Sequence, residues 1–147
     1  MSRTERTMTA TPEQVFAVLA DGWSYSAWVV GADHIRQVDE AWPAAGSRLH
    51  VTVGPWPVAA PGTTTMVSCE PPYRVVMCPR VWPLGELTVT ITLVPEPDGR
   101  TRVVLEEEFT GGALLGLRNR INDGALEGRN REALRRLARL VERGPGS

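Results

Sequence analysis

Glu86-Leu87-Thr88-Val89-Thr90-Ile91-Thr92-Leu93-Val94 alternates without a break: Leu87, Val89, Ile91 and Leu93 are apolar, and Thr88, Thr90 and Thr92 are polar. A period of two is that of a β-strand with one face buried, so the apolar set faces inward. Pro95-Glu96-Pro97-Asp98-Gly99 follows, which is turn chemistry. Thr101–Thr110 then reads as a second strand. A compact hairpin loop over Pro95–Arg100 pairs Leu93 with Val103, Ile91 with Leu105, Val89 with Glu107 and Leu87 with Phe109. Val103, Leu105, Glu107 and Phe109 thereby share the inner face.

The reading extends backward from this hairpin. Four more strands are predicted near His34–Asp39, Arg48–Gly54, Thr63–Glu70 and Tyr73–Trp82, with Pro- and Gly-rich separators between them. Short connections imply antiparallel neighbours. A three-residue turn at Pro83–Gly85 sets Ile91 beside Met77 and Leu93 beside Val75. A two-residue turn at Pro71-Pro72 pairs Met77 with Met66, Val75 with Ser68, Cys69 with Arg74 and Cys78 with Thr65. Both cysteines then lie on the outer face, and Arg80 points outward. A one-residue change in either turn would flip these faces.

The chain begins with an alternating, Thr-rich segment, Ser2–Thr9, a further strand. A helix start follows: Thr11 as N-cap, Pro12 at the first helical position and Gln14 closing a capping box. Asp21-Gly22 ends that helix, and a second short one runs from Trp23 to Trp28. After Gly111-Gly112 the pattern becomes a helix of about thirty residues ending near Gly144. Leu126, Ala133, Leu137 and Leu140 form one stripe on it. Toward its N-terminus the same stripe passes through Asn130, Asn122, Asn119 and Leu115. In the alternative phase, Leu117 and Ile121 pack inward and the amides are wet. Gly124 and Gly128 imply close approach of another element, room for a ligand, or a kink, because a mid-helix Gly costs about 1 kcal/mol relative to Ala. The many arginines of this helix read as a solvated face, with Glu127–Arg131 and Glu132–Arg136 at helpful spacing.

The bulk numbers bound the answer. At 147 residues, with 42% hydrophobic and 22% charged, the chain has the size and composition of one globular domain spanning 1–147. No apolar run approaches the roughly 18 residues of a membrane span, and Met1–Ala10 does not read as a signal peptide. A cytoplasmic location without stable membrane insertion is therefore expected. A net charge of −1 gives no pull toward nucleic acid. Every basic side chain is Arg, which excludes Schiff-base chemistry on a lysine. Cys69 and Cys78 are too few for a disulfide framework and match no zinc spacing, so free thiols are expected. No Ser–His–Asp arrangement, phosphate loop or dinucleotide fingerprint is present, and neither metal nor cofactor is expected. His50 alternates with Leu49 and Val51 and points outward, whereas His34 is open to either face.

Strand, two short helices, six strands, long helix: in that order the chain resembles the polyketide cyclase/START/Bet v 1-like (SRPBCC) superfamily. The likeness is carried by Thr11-Pro12-Glu13-Gln14-Val15-Phe16, by Trp23, Trp28 and Gly31, and by Glu70-Pro71-Pro72-Tyr73-Arg74-Val75. It continues in Gly99-Arg100-Thr101-Arg102-Val103 and in the closing Leu134, Leu137 and Leu140-Val141-Glu142. The resemblance implies an α+β helix-grip fold, a seven-stranded curved antiparallel sheet around the long C-terminal helix, with a cavity for a hydrophobic ligand between them. Trp23, Tyr25 and Trp28 would border its entrance. The family has no universal catalytic motif, so fold alone leaves function open.

The expected ligand-binding set is Trp28, Met66, Met77, Val89, Ile91, Leu105 and Phe109 on the apolar walls, with Asn119, Asn122 and Leu126 on the helix. Trp56 and Trp82 are further aromatic candidates at loop edges. Glu107 is the expected acid or base: a carboxylate on an apolar face is costly unless paired or protonated, and burial alone can raise its pKa by as much as about 3–5 units. Alternatively it sits at the rim and meets water or an Arg. Tyr25 offers a phenol to orient a carbonyl. Three functions fit. The first is binding of a hydrophobic small molecule such as a lipid, polyketide or isoprenoid. The second is an aromatase/cyclase or dehydratase, which needs at least two of Glu107, Tyr25, His34 and Arg80 to converge. The third is a protein-interaction accessory module.

Overall fold

The computed structural model describes residues 2–54, 60–81, 85–111 and 120–143, with side chains in the last stretch from residue 127 onward. Seven strands, β1 (Ser2–Met8), β2 (Ala32–Val38), β3 (Arg48–Val53), β4 (Ala60–Glu70), β5 (Arg74–Val81), β6 (Gly85–Glu96) and β7 (Arg100–Gly111), form one antiparallel sheet ordered β1-β7-β6-β5-β4-β3-β2. Between β1 and β2 lie α1 (Pro12–Ala20), a single 3₁₀ turn over Gly22–Ser24, and α2 (Tyr25–Trp28). The long helix α3 spans Arg120–Arg143. This is the α+β helix-grip arrangement.

Local chemistry explains the elements. Thr11 accepts from the Gln14 backbone while the Gln14 side chain accepts from the Thr11 N–H, so both orphan donors at the start of α1 are satisfied. The β6–β7 turn places Asp98 at φ 65° and Gly99 at φ 71°, left-handed positions that Asp and Gly tolerate. That turn sets the register read above: Leu87↔Phe109, Val89↔Glu107, Ile91↔Leu105 and Leu93↔Val103.

Two other turns differ from expectation. The β4–β5 turn contains three residues, with Glu70 opposite Arg74, so Cys69 pairs with Val75 and Ser68 with Val76. A bulge between Met66 and Ser68 absorbs the extra residue and restores Met66↔Met77 and Thr65↔Cys78. Cys69 is thereby turned to pack against the core, correcting its expected outer position, while Cys78 keeps its own. In β5–β6, Val81 pairs with Gly85, Met77 with Val89 and Val75 with Ile91, a slip of two residues from the expected pairing. An even slip leaves every side chain on its predicted face.

The core lies between the concave sheet and α3. Ala133, Leu134, Leu137, Ala138 and Val141 are buried on the helix, and Leu140 is half-buried, so the apolar stripe is wider than the sequence suggests. Leu49, Met66, Val75, Ile91 and Leu93 meet it from the sheet, each nearly or fully buried. At roughly 2 kcal/mol per fully buried Leu or Ile, this seam is a main source of stability. Gly128 is exposed and a Cβ there would meet nothing within 4 Å. Among the described residues no element packs closely on it, contrary to the close-approach reading of the glycine; the side chains around Gly124 lie outside the described residues.

Candidate functional site

Where α3 does not fill the sheet's concavity, a cavity of about 140 Å³ remains. Its walls are mostly apolar, with Leu49, Val51, Met77, Val89, Ile91 and Leu105 from the sheet. Tyr25 and Trp28 of α2 close one side, and Arg129, Asn130 and Ala133 of α3 another. Its volume is below the roughly 300–1,000 Å³ of drug-sized ligand sites and close to the roughly 150 Å³ that holds a single aromatic ring.

Polar groups interrupt these walls at few places. Glu107 faces inward from β7 because Val89 opposite it does, and it is only 2% exposed. Its Oε1 accepts from Nη2 of Arg129, whose side chain is 35% exposed. Glu107 is therefore both buried and paired with an arginine. Its Oε2 has no partner among the described residues. Asn130 is 3% exposed and Trp28 2%, and Nδ2 of the first and Nε1 of the second are likewise unpartnered among the described residues. All three residues line the cavity. Buried polar atoms without partners are rare and need an explanation.

Tyr25 lines the cavity, but its hydroxyl is engaged. It donates to the Leu19 carbonyl at 2.8 Å and lies 3.6 Å from the Met77 sulfur. Burial above all, with Cys69 and Asp21 adding, pushes its phenol well above the usual value and holds the proton on. The same Leu19 carbonyl accepts from the Trp42 indole at 3.4 Å, and the rings of Trp28 and Trp42 sit 4.8 and 5.7 Å from that of Tyr25. This aromatic cluster fixes the wall rather than leaving a free phenol. Trp28 is accordingly buried wall, while Trp23 is 57% exposed.

The other predicted residues separate. Met77, Val89, Ile91, Leu105 and Trp28 line the cavity together with Glu107 and Tyr25. Met66 is fully buried in the core and does not line it, and half-buried Phe109 does not line it either. Asn119 and the side chains of Asn122 and Leu126 lie outside the described residues, as do Trp56 and Trp82. His34 is exposed, and half-buried His50 lies 3.6 Å from Asp39. The Arg80 guanidinium points outward and binds Glu86 through Nε and Nη2 at 3.1 and 2.7 Å. Of the four groups weighed for catalysis, Glu107, Tyr25 and Arg80 line this cavity, but the Arg80 guanidinium is held by Glu86 on the exposed side. Arg129 was missed, although it directly precedes Asn130 of the predicted stripe. Among the described residues no cluster of His, Cys, Asp and Glu is placed to hold a metal, and no helix is long and apolar enough to cross a membrane.

A family model described as polyketide cyclase / dehydrase and lipid transport matches residues 2–142. No curated protein matches the sequence. Among solved structures, the Zhui aromatase/cyclase from Streptomyces sp. R1128 superposes with a TM-score of 0.74 at 15% identity, over 96% of this chain and 92% of that one. A protein from Rhodobacter sphaeroides gives 0.71 at 22% identity, over 97% and 93%. DynU16, a protein of the dynemicin biosynthetic locus, gives 0.71 at 18% identity, over 97% of this chain and 47% of its own length. At these identities the likeness is one of fold.

Proposed function

The chain belongs to the polyketide cyclase / dehydrase and lipid transport family, and from that premise we propose that it binds a compact, hydrophobic small molecule in the cavity between the sheet and α3. The observation that carries this reading is a cavity of about 140 Å³ with mostly apolar walls, bordered by one buried, ion-paired carboxylate, Glu107. Native mass spectrometry of the purified protein, before and after incubation with apolar ring compounds, tests it. A discrete one-to-one adduct is the expected result. Failure to take up any compound that fits the cavity volume contradicts the reading.

A second reading, proton transfer on a polyketide-like substrate during cyclisation or dehydration, draws on Glu107 alone. A buried carboxylate with one free oxygen can take a proton from a bound hydroxyl or from carbon beside a carbonyl. Water loss would need a second group to give a proton to the departing oxygen. Tyr25 is spent on Leu19, the Arg80 guanidinium is held by Glu86, and His34 is exposed outside the lining. Binding is therefore the reading the geometry supports best.

A further inference from the structure

We propose that the cavity is a single-ring site, closed to fused rings and to extended chains, and that Trp28 is the residue that sets this limit. This rests on the reading of the cavity as a ligand site and specifies its size selectivity. A space of about 140 Å³ remains between the sheet and α3. In a protein interior, roughly 150 Å³ of apolar space holds one benzene-sized ring. An acyl chain or a fused multi-ring skeleton is larger than that. Such a limit is selective only where the walls do not yield.

The walls are held. Trp28 is the bulkiest side chain among the described lining residues and is 2% exposed. Its ring lies 4.8 Å from that of Tyr25, tilted by 53°. Tyr25 is fixed twice over: its ring meets Trp42 edge-on at 88°, and its hydroxyl donates to the Leu19 carbonyl at 2.8 Å. Trp28 therefore cannot swing back without displacing Tyr25 and breaking a buried hydrogen bond. Met77, the most adaptable apolar side chain of the lining, lies 3.6 Å from that same hydroxyl. Val51, Val89 and Ile91, on the sheet side, are β-branched and stiff at χ1.

Size and hydrophobicity make opposite predictions here, which makes the limit measurable. A second fused ring adds apolar area, so transfer from water alone makes naphthalene a tighter ligand than toluene. Walls that do not yield reverse this order, because overpacking costs more than the added area gains.

The test is calorimetric titration of the purified protein at neutral pH with toluene and with naphthalene. Toluene is expected to bind one-to-one, and naphthalene about tenfold more weakly or worse. Trp28→Leu keeps the wall apolar but shortens it, so naphthalene should gain about tenfold and overtake toluene. Ala133→Leu, which fills the cavity from α3, should abolish toluene binding. If Trp28→Leu does not fold, Trp28→Phe takes its place, with a gain for naphthalene expected in the same direction. Naphthalene binding the wild type more tightly than toluene overturns the size limit while leaving the cavity a ligand site. A folded Trp28 variant in which naphthalene gains nothing overturns the assignment to Trp28. If neither probe binds the wild type, the ligand-site reading falls and this one with it.

Discussion

Glu107 of β7 and Arg129 of α3 are ion-paired across the seam between sheet and helix, the carboxylate 2% exposed and the guanidinium 35% exposed. The pair joins the strand that carries the inner-face register to the helix that closes the cavity. It also leaves one carboxylate oxygen free inside.

Removing only the cation should be worse than removing both partners. Arg129→Leu leaves Glu107 buried and uncompensated, at about 3–5 kcal/mol for a fully buried pair and nearer 2–3 kcal/mol here because Arg129 is partly solvated. The double variant Glu107→Leu/Arg129→Leu should recover most of that loss. Urea unfolding of the wild type, both single variants and the double variant measures it.

Tyr25→Phe removes the donor to the Leu19 carbonyl, which retains the Trp42 indole at 3.4 Å. A loss of about 1 kcal/mol in unfolding free energy is expected. Because the hydroxyl faces the backbone rather than a ligand, affinity for an apolar probe should be nearly unchanged. Equilibrium unfolding and probe titration of the same variant separate the two effects.

Stability should fall on the alkaline side. Burial, then the hydrogen bond to Glu86 at 3.2 Å and the charge of Glu86, push the Cys78 thiol from its ordinary value near 9 up to about 11, with Arg80 opposing. Burial raises Cys69 and Tyr25 as well. Between pH 9 and 11 the unfolded chain releases a proton that the folded chain keeps on Cys78. The stability present below that window is lost as pH rises through it. Melting temperatures recorded from pH 8 to 11 should decline, and Cys78→Ser should flatten the decline.

Gly128→Ala should stabilise by about 0.5–1 kcal/mol, since it lies in a helix with open space where the Cβ would go. Gly22→Ala should do the opposite, because its Cβ would collide with Leu49 and Val38. Thermal melts of both variants check the contrast.

The faces of β6 and β7 were legible because seven alternating residues and one Asp-Gly turn leave a single register that buries Leu87 to Leu93. That register placed Glu107 inside. The turn lengths were less so. Three residues at Pro71-Pro72-Tyr73 and a compensating bulge at Val67 have no period in the sequence to mark them, and Ser68 and Cys69 exchanged faces as a result. At the cavity, periodicity separates inner from outer side chains but not wall from packed core. Met66 shares its face with Met77, yet lies outside the lining. Arg129 is charged and adjacent to a run of exposed arginines, so nothing local marks it as the one that turns toward Glu107.

The central claim is that the space between the sheet and α3 is where an apolar ligand sits. A ¹⁵N-resolved NMR titration with toluene tests it most directly, because the Trp28 indole N–H gives its own signal. Saturable shifts of that signal, together with the amides of Val89, Asn130 and Ala133, are predicted. Shifts confined to the exposed Trp23 and Tyr73, or no saturable shifts, would contradict it.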